Sequence, residues 1–176
     1  LNGDGDMTDW VAINETLSLW YGSVIDDQIA AAMDQIQSGA KIMVTNTCHG
    51  GGYVDDLSGP GTITITGSRE NGAALAGLMP RLLNEALSVY QGEADADANG
   101  RVSLLEAFNH MSLHPHDGIS PGFDNFQYDD NGDQVSHEDP LPDGGDGVFG
   151  ATIFLPAGPA MDLDGTFSLS CWISFP

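Results

Sequence analysis

Segment 41–52 constrains this chain more than any other, because a short apolar run ends there at a cysteine that glycines follow almost at once. It reads KIMVTNTCHGGG. Its β-branched residues predict a buried strand from Lys41 to Thr47, and the glycines let the backbone turn sharply and approach a ligand. Ligands of open α/β sheets bind outside the carboxyl ends of the strands. The segment therefore predicts Cys48 as a nucleophile at a sheet edge, with a small buried core residue as the alternative.

The hydrophobic pattern predicts an α/β domain. A strand is expected at 12–19, and a helix runs from Asp26 to about Gln37, with Asp26 or Asp27 capping its first turn. Because strand 41–47 follows that helix, the order predicts a right-handed β-α-β crossover between parallel strands. The later predictions are a loop at 53–61, a strand at 62–66, helices at 80–91 and 104–111, an irregular Asp/Gly-rich loop at 112–147, and closing strands at 150–155 and 166–174.

The clearest local pattern is segment 95–106, DADANGRVSLLE, which fits the twelve-residue EF-hand calcium loop. Gly100 stands at the sharp turn, Val102 is the apolar eighth residue, and Glu106 is the bidentate closing ligand. A single loop of this kind suggests a structural calcium site, and the alternative is a loop that folds without metal. The predicted ligands are Asp95, Asp97, Asn99, Arg101, Ser103 and Glu106.

Two other segments also alternate oxygen-donor residues with their neighbours, as calcium loops do. In segment 1–9 the closing position falls at Val11, and a solvated Gly/Asp loop is the alternative. In segment 128–133 the expected glycine is replaced by Gln134. The candidate ligands are Asn2, Asp4 and Asp6 in the first segment and Asp129, Asn131 and Asp133 in the second.

The charge balance narrows the classes of partner. The chain has 26 acidic and 4 basic residues, a net charge of −22. Such a surface repels phosphate backbones and anionic lipid, so nucleic acid and membrane surfaces are not expected as partners. Apolar runs long enough to span a bilayer, about 20 residues, are not found either. Acidic excess favours bound cations, cationic substrates or a high-salt habitat. We expect a secreted or cell-surface protein, either from a prokaryote or from an organism of a high-salt habitat.

Several of these segments together resemble the second half of the caspase-like cysteine peptidase fold, in the branch of metacaspases and legumain-type peptidases. The turn CHGG at 48–51 is similar to the Cys-His-Ser-Gly turn of that superfamily. Segment 22–29, GSVIDDQI, resembles the Ile-x-Asp-Asp-x-Leu helix start of metacaspases, and segment 62–68 looks like the strand that follows the nucleophile. The similarity covers about residues 1–155.

The resemblance implies a caspase-like sandwich, with a mostly parallel central sheet flanked by helices, that lacks the first strands. Residues 1–176 would form this single partial domain, with an EF-hand-like calcium loop at 93–111 inside it. It also implies that the general-base histidine lies upstream of Leu1, because no histidine precedes Cys48. An N-terminal polypeptide would then supply both that histidine and the missing strands.

The resemblance assigns further site residues. It places Asn46 where metacaspases carry an aspartate that selects basic substrates, which leaves the substrate preference open. It gives Ser68, Arg69, Glu70 and Asn71 as candidates for the substrate pocket. The amides of Cys48, Gly50 and Gly51 would form part of an oxyanion hole. His49 is a poor base, because a side chain next to Cys48 on a turning backbone points away from it.

Two functions from different classes follow. The first is a calcium-supported cysteine endopeptidase that acts on a peptide or protein substrate, with Cys48 as nucleophile and Ca²⁺ as cofactor. The second is a non-catalytic, calcium-stabilised extracellular module for binding or assembly that retains the fold. A nucleophilic Cys48 requires a free thiol, so pairing with Cys171 would contradict the first function.

Overall fold

A computed structural model describes residues 16–19, 21–75, 77–113, 125–138 and 140–155 of the chain. Over these ranges the backbone forms five strands and five helices. In chain order they are β1 (Thr16–Leu19), β2 (Gly22–Ile25), α1 (Asp26–Asp34), β3 (Lys41–Thr45), α2 (Tyr53–Leu57), β4 (Thr62–Thr66), α3 (Leu78–Leu87), α4 (Gln91–Ala94), α5 (Leu104–Leu113) and β5 (Gln127–Asp129).

The main sheet is small and mixed, with the strand order β3-β4-β5. β3 and β4 are parallel, with Lys41 opposite Thr62 and Thr45 opposite Thr66. β5 runs antiparallel to β4 and places Tyr128 opposite Ile65. The protein is therefore mixed α/β, as predicted, but the described sheet has one parallel and one antiparallel pair.

The core lies on one face of β4. Ile63 and Ile65 are completely buried and belong to the same apolar cluster as the buried side chains of α3 and α5. The rings of Phe108 and Tyr128 meet there, with centroids 4.9 Å apart. Because successive side chains of a strand point to opposite faces, the threonines of β4 point away from this cluster. α2 packs against β4 and contributes further buried side chains.

The predicted β-α-β crossover is wrong. β1 pairs with β2 as an antiparallel hairpin that is separate from the main sheet, with Leu19 opposite Gly22. Gly22, the first residue of β2, has a φ of +152°, which favours glycine. A hairpin closes a much shorter loop than a crossover, so it costs less conformational entropy. Residues 12–15 of that predicted strand lie outside the described residues.

The boundaries of several elements also differ from the prediction. α1 ends at Asp34 rather than Gln37. Its N-cap is Ile25, whose N–H donates to Gln28 Oε1, and Asp26 in the first turn accepts the N–H of Asp27 at 2.8 Å. The predicted loop 53–61 begins with α2, and the predicted irregular loop 112–147 contains the end of α5 and all of β5. The predicted strand 150–155 is wrong, since Gly150–Thr152 is a 3-10 turn, and the strand at 166–174 lies outside the described residues.

Candidate functional site

Cys48 lies at the carboxyl edge of the parallel pair β3–β4, where the α/β rule places ligands. Its thiol is free and exposed, which rules out the alternative of a buried core residue. Its Sγ atom lies 3.8 Å from the carbonyl oxygen of Ala74. His49 takes a left-handed φ of +61° and Gly50–Gly52 form a 3-10 turn, so the chain reverses directly after the cysteine.

The loop after β4 supports this turn. The N–H of His49 donates to the carbonyl of Gly72 at 2.9 Å. Ser68 is completely buried, and its hydroxyl donates to the carbonyl of Thr47 at 3.0 Å. The same hydroxyl accepts the N–H of Gly50 at 3.1 Å. Ser68, predicted as a pocket residue, therefore acts on the backbone of the cysteine turn.

Close packing requires the glycine at position 51 of the turn. A Cβ atom on Gly51 would lie 2.4 Å from the backbone nitrogen of Glu70, which real structures do not tolerate. All three glycines of the 3-10 turn are buried. Since Ser68 takes the N–H of Gly50, that predicted oxyanion donor is already engaged. Its release would require the hydroxyl of Ser68 to rotate away.

The other predicted pocket residues lie along the same loop. The amide nitrogen of Asn46 donates to the carbonyl of Leu75 at 2.8 Å, which joins the end of β3 to the loop. Arg69 is exposed and pairs with Glu138, with its Nη2 atom 2.7 Å from Glu138 Oε2. Asn71 is exposed, whereas Glu70 is half-buried. The structure thus places Asn46, Ser68 and Glu70 against the turn that carries Cys48, whereas Arg69 bonds to Glu138.

The described histidines make contacts elsewhere. Nδ1 of His49 lies 2.6 Å from the carbonyl oxygen of Glu70, so the loop after β4 engages this ring. His110 packs against Tyr90, and His137 bonds to Asp146. None of these contacts involves Cys48. His114 and His116 lie outside the described residues.

The EF-hand-like loop brings three carboxylates together between α4 and α5. Oxygen atoms of Asp95, Asp97 and Glu106 all lie within 4.8 Å of one another. Backbone N–H groups of Asn99 and Gly100 donate to Asp95 at 3.0 and 2.8 Å. Gly100 has a φ of +84°, as the sharp turn of such a loop requires. These carboxylates could hold a metal ion that prefers oxygen ligands.

Side chains at the end of the loop hold it closed. Glu106 accepts hydrogen bonds from the N–H and the hydroxyl of Ser103, both at 2.8 Å, and from the N–H of Asp97 at 3.2 Å. The guanidinium of Arg101 lies 3.8 Å from the centre of the Phe154 ring. Ser103 also bridges to Phe154, so the loop pairs with the segment after the 3-10 turn at 150–152.

A second acidic group that could hold a metal ion was missed by the sequence analysis. It consists of Asp26 and Asp27 at the start of α1 and Asp56 on α2, and Asp26 is buried. Desolvation and then repulsion by Asp55, Asp26 and Asp27 raise the pKa of Asp56 to about 6. The two Asp-Asp pairs in the sequence are the only signal, because only the packing of α1 against α2 unites them.

The Asp-rich loop after β5 uses its carboxylates to hold its own backbone. Asp129 is completely buried, accepts the hydroxyl of Ser58 and accepts the N–H of Gly132 at 3.2 Å. Asn131 and Asp133 accept backbone N–H groups two residues further on. Gly132 and Gln134 have positive φ angles, +80° and +70°. They stand at the positions that correspond to Ala98 and Gly100 in segment 95–106, which also have positive φ angles. The other candidate ligands, Asn2, Asp4 and Asp6, lie outside the described residues.

Buried acidic residues close to that loop were not predicted. Asp146 is completely buried and accepts the N–H of Asp130 at 2.9 Å and a bond of 2.8 Å from His137 Nδ1. Asp130 accepts the N–H groups of Gly147 and Gly150 at 3.0 and 2.6 Å. These bonds satisfy the buried carboxylates. We interpret them as the framework of the loop.

Comparisons with known proteins add no assignment. Among the described residues, no helix has the length and apolar character needed to cross a membrane. Searches against protein-family models, curated proteins and solved structures find no match for this chain.

Proposed function

We propose that this chain is the cysteine-bearing part of a calcium-supported cysteine endopeptidase of the caspase-like type, with Cys48 as the nucleophile. The observation that carries this proposal is the exposed, free thiol at the carboxyl edge of a parallel strand pair. A thiol so placed can be reached by an extended peptide, and the neighbouring loop 68–75 offers one wall of a pocket.

In the proposed reaction the Cys48 thiolate attacks the carbonyl carbon of a peptide bond. A histidine base first takes the proton of the thiol, and the imidazolium so formed gives it to the departing amine as the thioester forms. Water then hydrolyses the thioester, which releases the acid and returns the thiol of Cys48. The base is a histidine that the resemblance puts upstream of Leu1, in polypeptide that also supplies the missing strands of a caspase-like sheet. The edge strand β3 supports this proposal, because no described strand pairs with its outer side.

Calcium has a structural part in the proposal. A cation between Asp95, Asp97 and Glu106 would remove the mutual repulsion of three carboxylates and join α4 to α5. Asp26, Asp27 and Asp56 form a second candidate site of the same chemistry. The net charge of −22 favours basic peptides and a secreted or cell-surface location in a prokaryote or a high-salt habitat.

The experiment compares peptide hydrolysis before and after removal of the thiol. A form of the protein extended upstream of Leu1 is assayed with calcium on peptides that carry Arg, Lys, Asn or Asp before the cleaved bond. We expect hydrolysis that Cys48→Ala abolishes. Equal rates for the two proteins would reject Cys48 as the nucleophile.

A second candidate function is a non-catalytic, calcium-stabilised module for binding or assembly. Two observations favour it: His49 and His137 bond to Glu70 and Asp146 rather than to Cys48, and Ser68 engages the N–H of Gly50. Alkylation by iodoacetamide separates the two candidates. An activated thiolate in the extended protein reacts fast near neutral pH, whereas an inert thiol reacts at the rate of an ordinary cysteine.

A further inference from the structure

We propose that Glu138 is a positioning residue for the Cys48 turn and that it acts through Arg69. This inference rests on the proposed function, since it concerns the order of the segment that presents the nucleophile. It assigns a role to a residue of the Asp-rich loop, which the sequence analysis did not connect with Cys48.

The first step is that segment 68–75 carries the turn. It accepts three hydrogen bonds from residues on both sides of the thiol. The side chain of Asn46 donates to Leu75 at 2.8 Å, the N–H of His49 to Gly72 at 2.9 Å, and the N–H of Gly50 to Ser68 at 3.1 Å. The thiol itself contacts Ala74. Any displacement of the segment is therefore passed to the backbone around Cys48.

The second step is that Glu138 holds the segment from outside. Two of the three guanidinium nitrogens of Arg69, Nε and Nη2, donate to the two carboxylate oxygens of Glu138. Glu138 is held in turn by Nε2 of Gln127 on β5, at 2.8 Å. Oε1 of Gln127 accepts the hydroxyl of Ser136 at 2.9 Å. The guanidinium thus connects the loop beside the nucleophile to the third strand of the sheet.

The third step concerns what such a pair can do. The side chains of Arg69 and Glu138 are 55% and 30% exposed, so water screens the pair and it adds little to global stability. Its two parallel hydrogen bonds nevertheless fix the direction of the guanidinium. Segment 68–75 has no helix or strand of its own, so a fixed guanidinium restricts its motion directly. We therefore expect a local effect on the Cys48 turn and almost none on the core.

The test measures amide hydrogen exchange in the full chain. In Glu138→Gln the N–H groups of His49 and Gly50 should exchange about two- to fivefold faster, the range expected for loss of an exposed pair. The amide of Ile65 on β4 should not change. The charge-exchanged double variant, Arg69→Glu with Glu138→Arg, should restore the protection of these amides. If Glu138 acted independently of Arg69, this exchange would not restore it.

Glu85→Gln provides the matched control, because it removes the same charge from the pair with Arg81 on α3. It should leave the exchange of His49 and Gly50 unchanged. Unchanged exchange at these amides in Glu138→Gln would overturn the inference, and so would an equal loss of protection at Ile65, which would indicate general destabilisation. If Glu138→Gln does not fold, Glu138→Asp shortens the arm with the charge kept and must show the same local effect. Hydrolysis is not part of this readout, so an inactive protein with the expected exchange would reject the peptidase and keep the positioning role.

Discussion

Ser68 closes the Cys48 turn by accepting the N–H of Gly50 at 3.1 Å, and it does so from a completely buried position. The same hydroxyl donates to Thr47 on the other side of the cysteine. One side chain thus bridges the residues before and after the proposed nucleophile. This arrangement explains why the turn keeps its shape although the thiol is exposed.

Removal of that hydroxyl should weaken the turn. In Ser68→Ala the buried N–H of Gly50 loses its partner, and we expect a loss of about 1–3 kcal/mol in the free energy of unfolding. Urea unfolding at constant pH measures it. Ser88→Ala is the control, because its hydroxyl makes only a local bond to Asn84 at the end of α3. Equal stability of Ser68→Ala and the natural protein would contradict the bridging role.

Calcium should stabilise the protein through Glu106. At a calcium concentration about 100 times Kd, the gain in unfolding free energy is about 2.7 kcal/mol, which chelation removes. Glu106→Gln should abolish this gain, since it removes the carboxylate that closes the loop. The measurement is the melting temperature with calcium and with a chelator. Glu93→Gln, which changes an exposed acid on α4, should behave as the natural protein. A calcium-induced shift that survives in Glu106→Gln would place the ion elsewhere.

Asp56 should make the protein less stable as the pH rises from about 4 to 6. Its pKa is raised from 3.8 to about 6 by desolvation and by Asp55, Asp26 and Asp27, so the folded state binds the proton more tightly than the unfolded state. The destabilisation by ionised Asp56 is absent below the pKa of this residue in the unfolded protein and complete above its pKa in the folded protein. Stability curves for Asp56→Asn should therefore be flatter over this window.

For the Asp56 experiment, the control is Asp34→Asn, an exposed acid on α1 with 85% of its side chain accessible. It should keep the slope of the natural protein. If stability depends on pH in the same way in Asp56→Asn and in the natural protein, then ionised Asp56 does not destabilise the fold, which would contradict this prediction. Calcium that binds there should reduce the slope.

His137 should stabilise the Asp-rich loop at low pH. Its hydrogen bond to Asp146 is the main cause that raises its pKa above the ordinary value of 6.5. The stabilisation by protonated His137 is complete below pH 6.5 and is lost as the pH rises through the pKa of His137 in the folded protein. Urea unfolding from pH 5.5 to 8.5 should show this loss in the natural protein but not in His137→Gln. A slope that persists unchanged in the variant would assign it to another group.

The local sequence patterns predicted the elements near Cys48 well. β3, β4 and the exposed cysteine between them follow from β-branched runs and from the glycines, which are local signals. Segment 95–106 has a positive φ at Gly100 and gathers the carboxylates of Asp95, Asp97 and Glu106, but its identity as an EF-hand loop stays a prediction. Its metal, like the caspase-like fold, stays a prediction.

Long-range pairings could not be predicted. The structure has the hairpin β1–β2 where a crossover was predicted. The hydrophobic pattern of a strand does not specify which other strand it pairs with. The cluster of Asp26, Asp27 and Asp56 depends on the packing of α1 against α2, and the bond between Arg69 and Glu138 joins positions 69 residues apart. The charge of a residue is visible in the sequence, but its partner is a property of the fold.

The measurement that tests the central claim most directly is covalent capture of Cys48 by a peptide reagent. A peptidyl chloromethyl ketone binds as a substrate does before it alkylates a nucleophile, so it reports on the thiol and the pocket together. In the protein extended upstream of Leu1, with calcium, we predict that mass spectrometry finds the peptide attached to Cys48. This labelling should be at least about tenfold faster than labelling by chloroacetone, which carries the same reactive group without the peptide, because binding concentrates the reagent at the thiol. Labelling of Cys48 at equal rates by the two reagents would contradict the account.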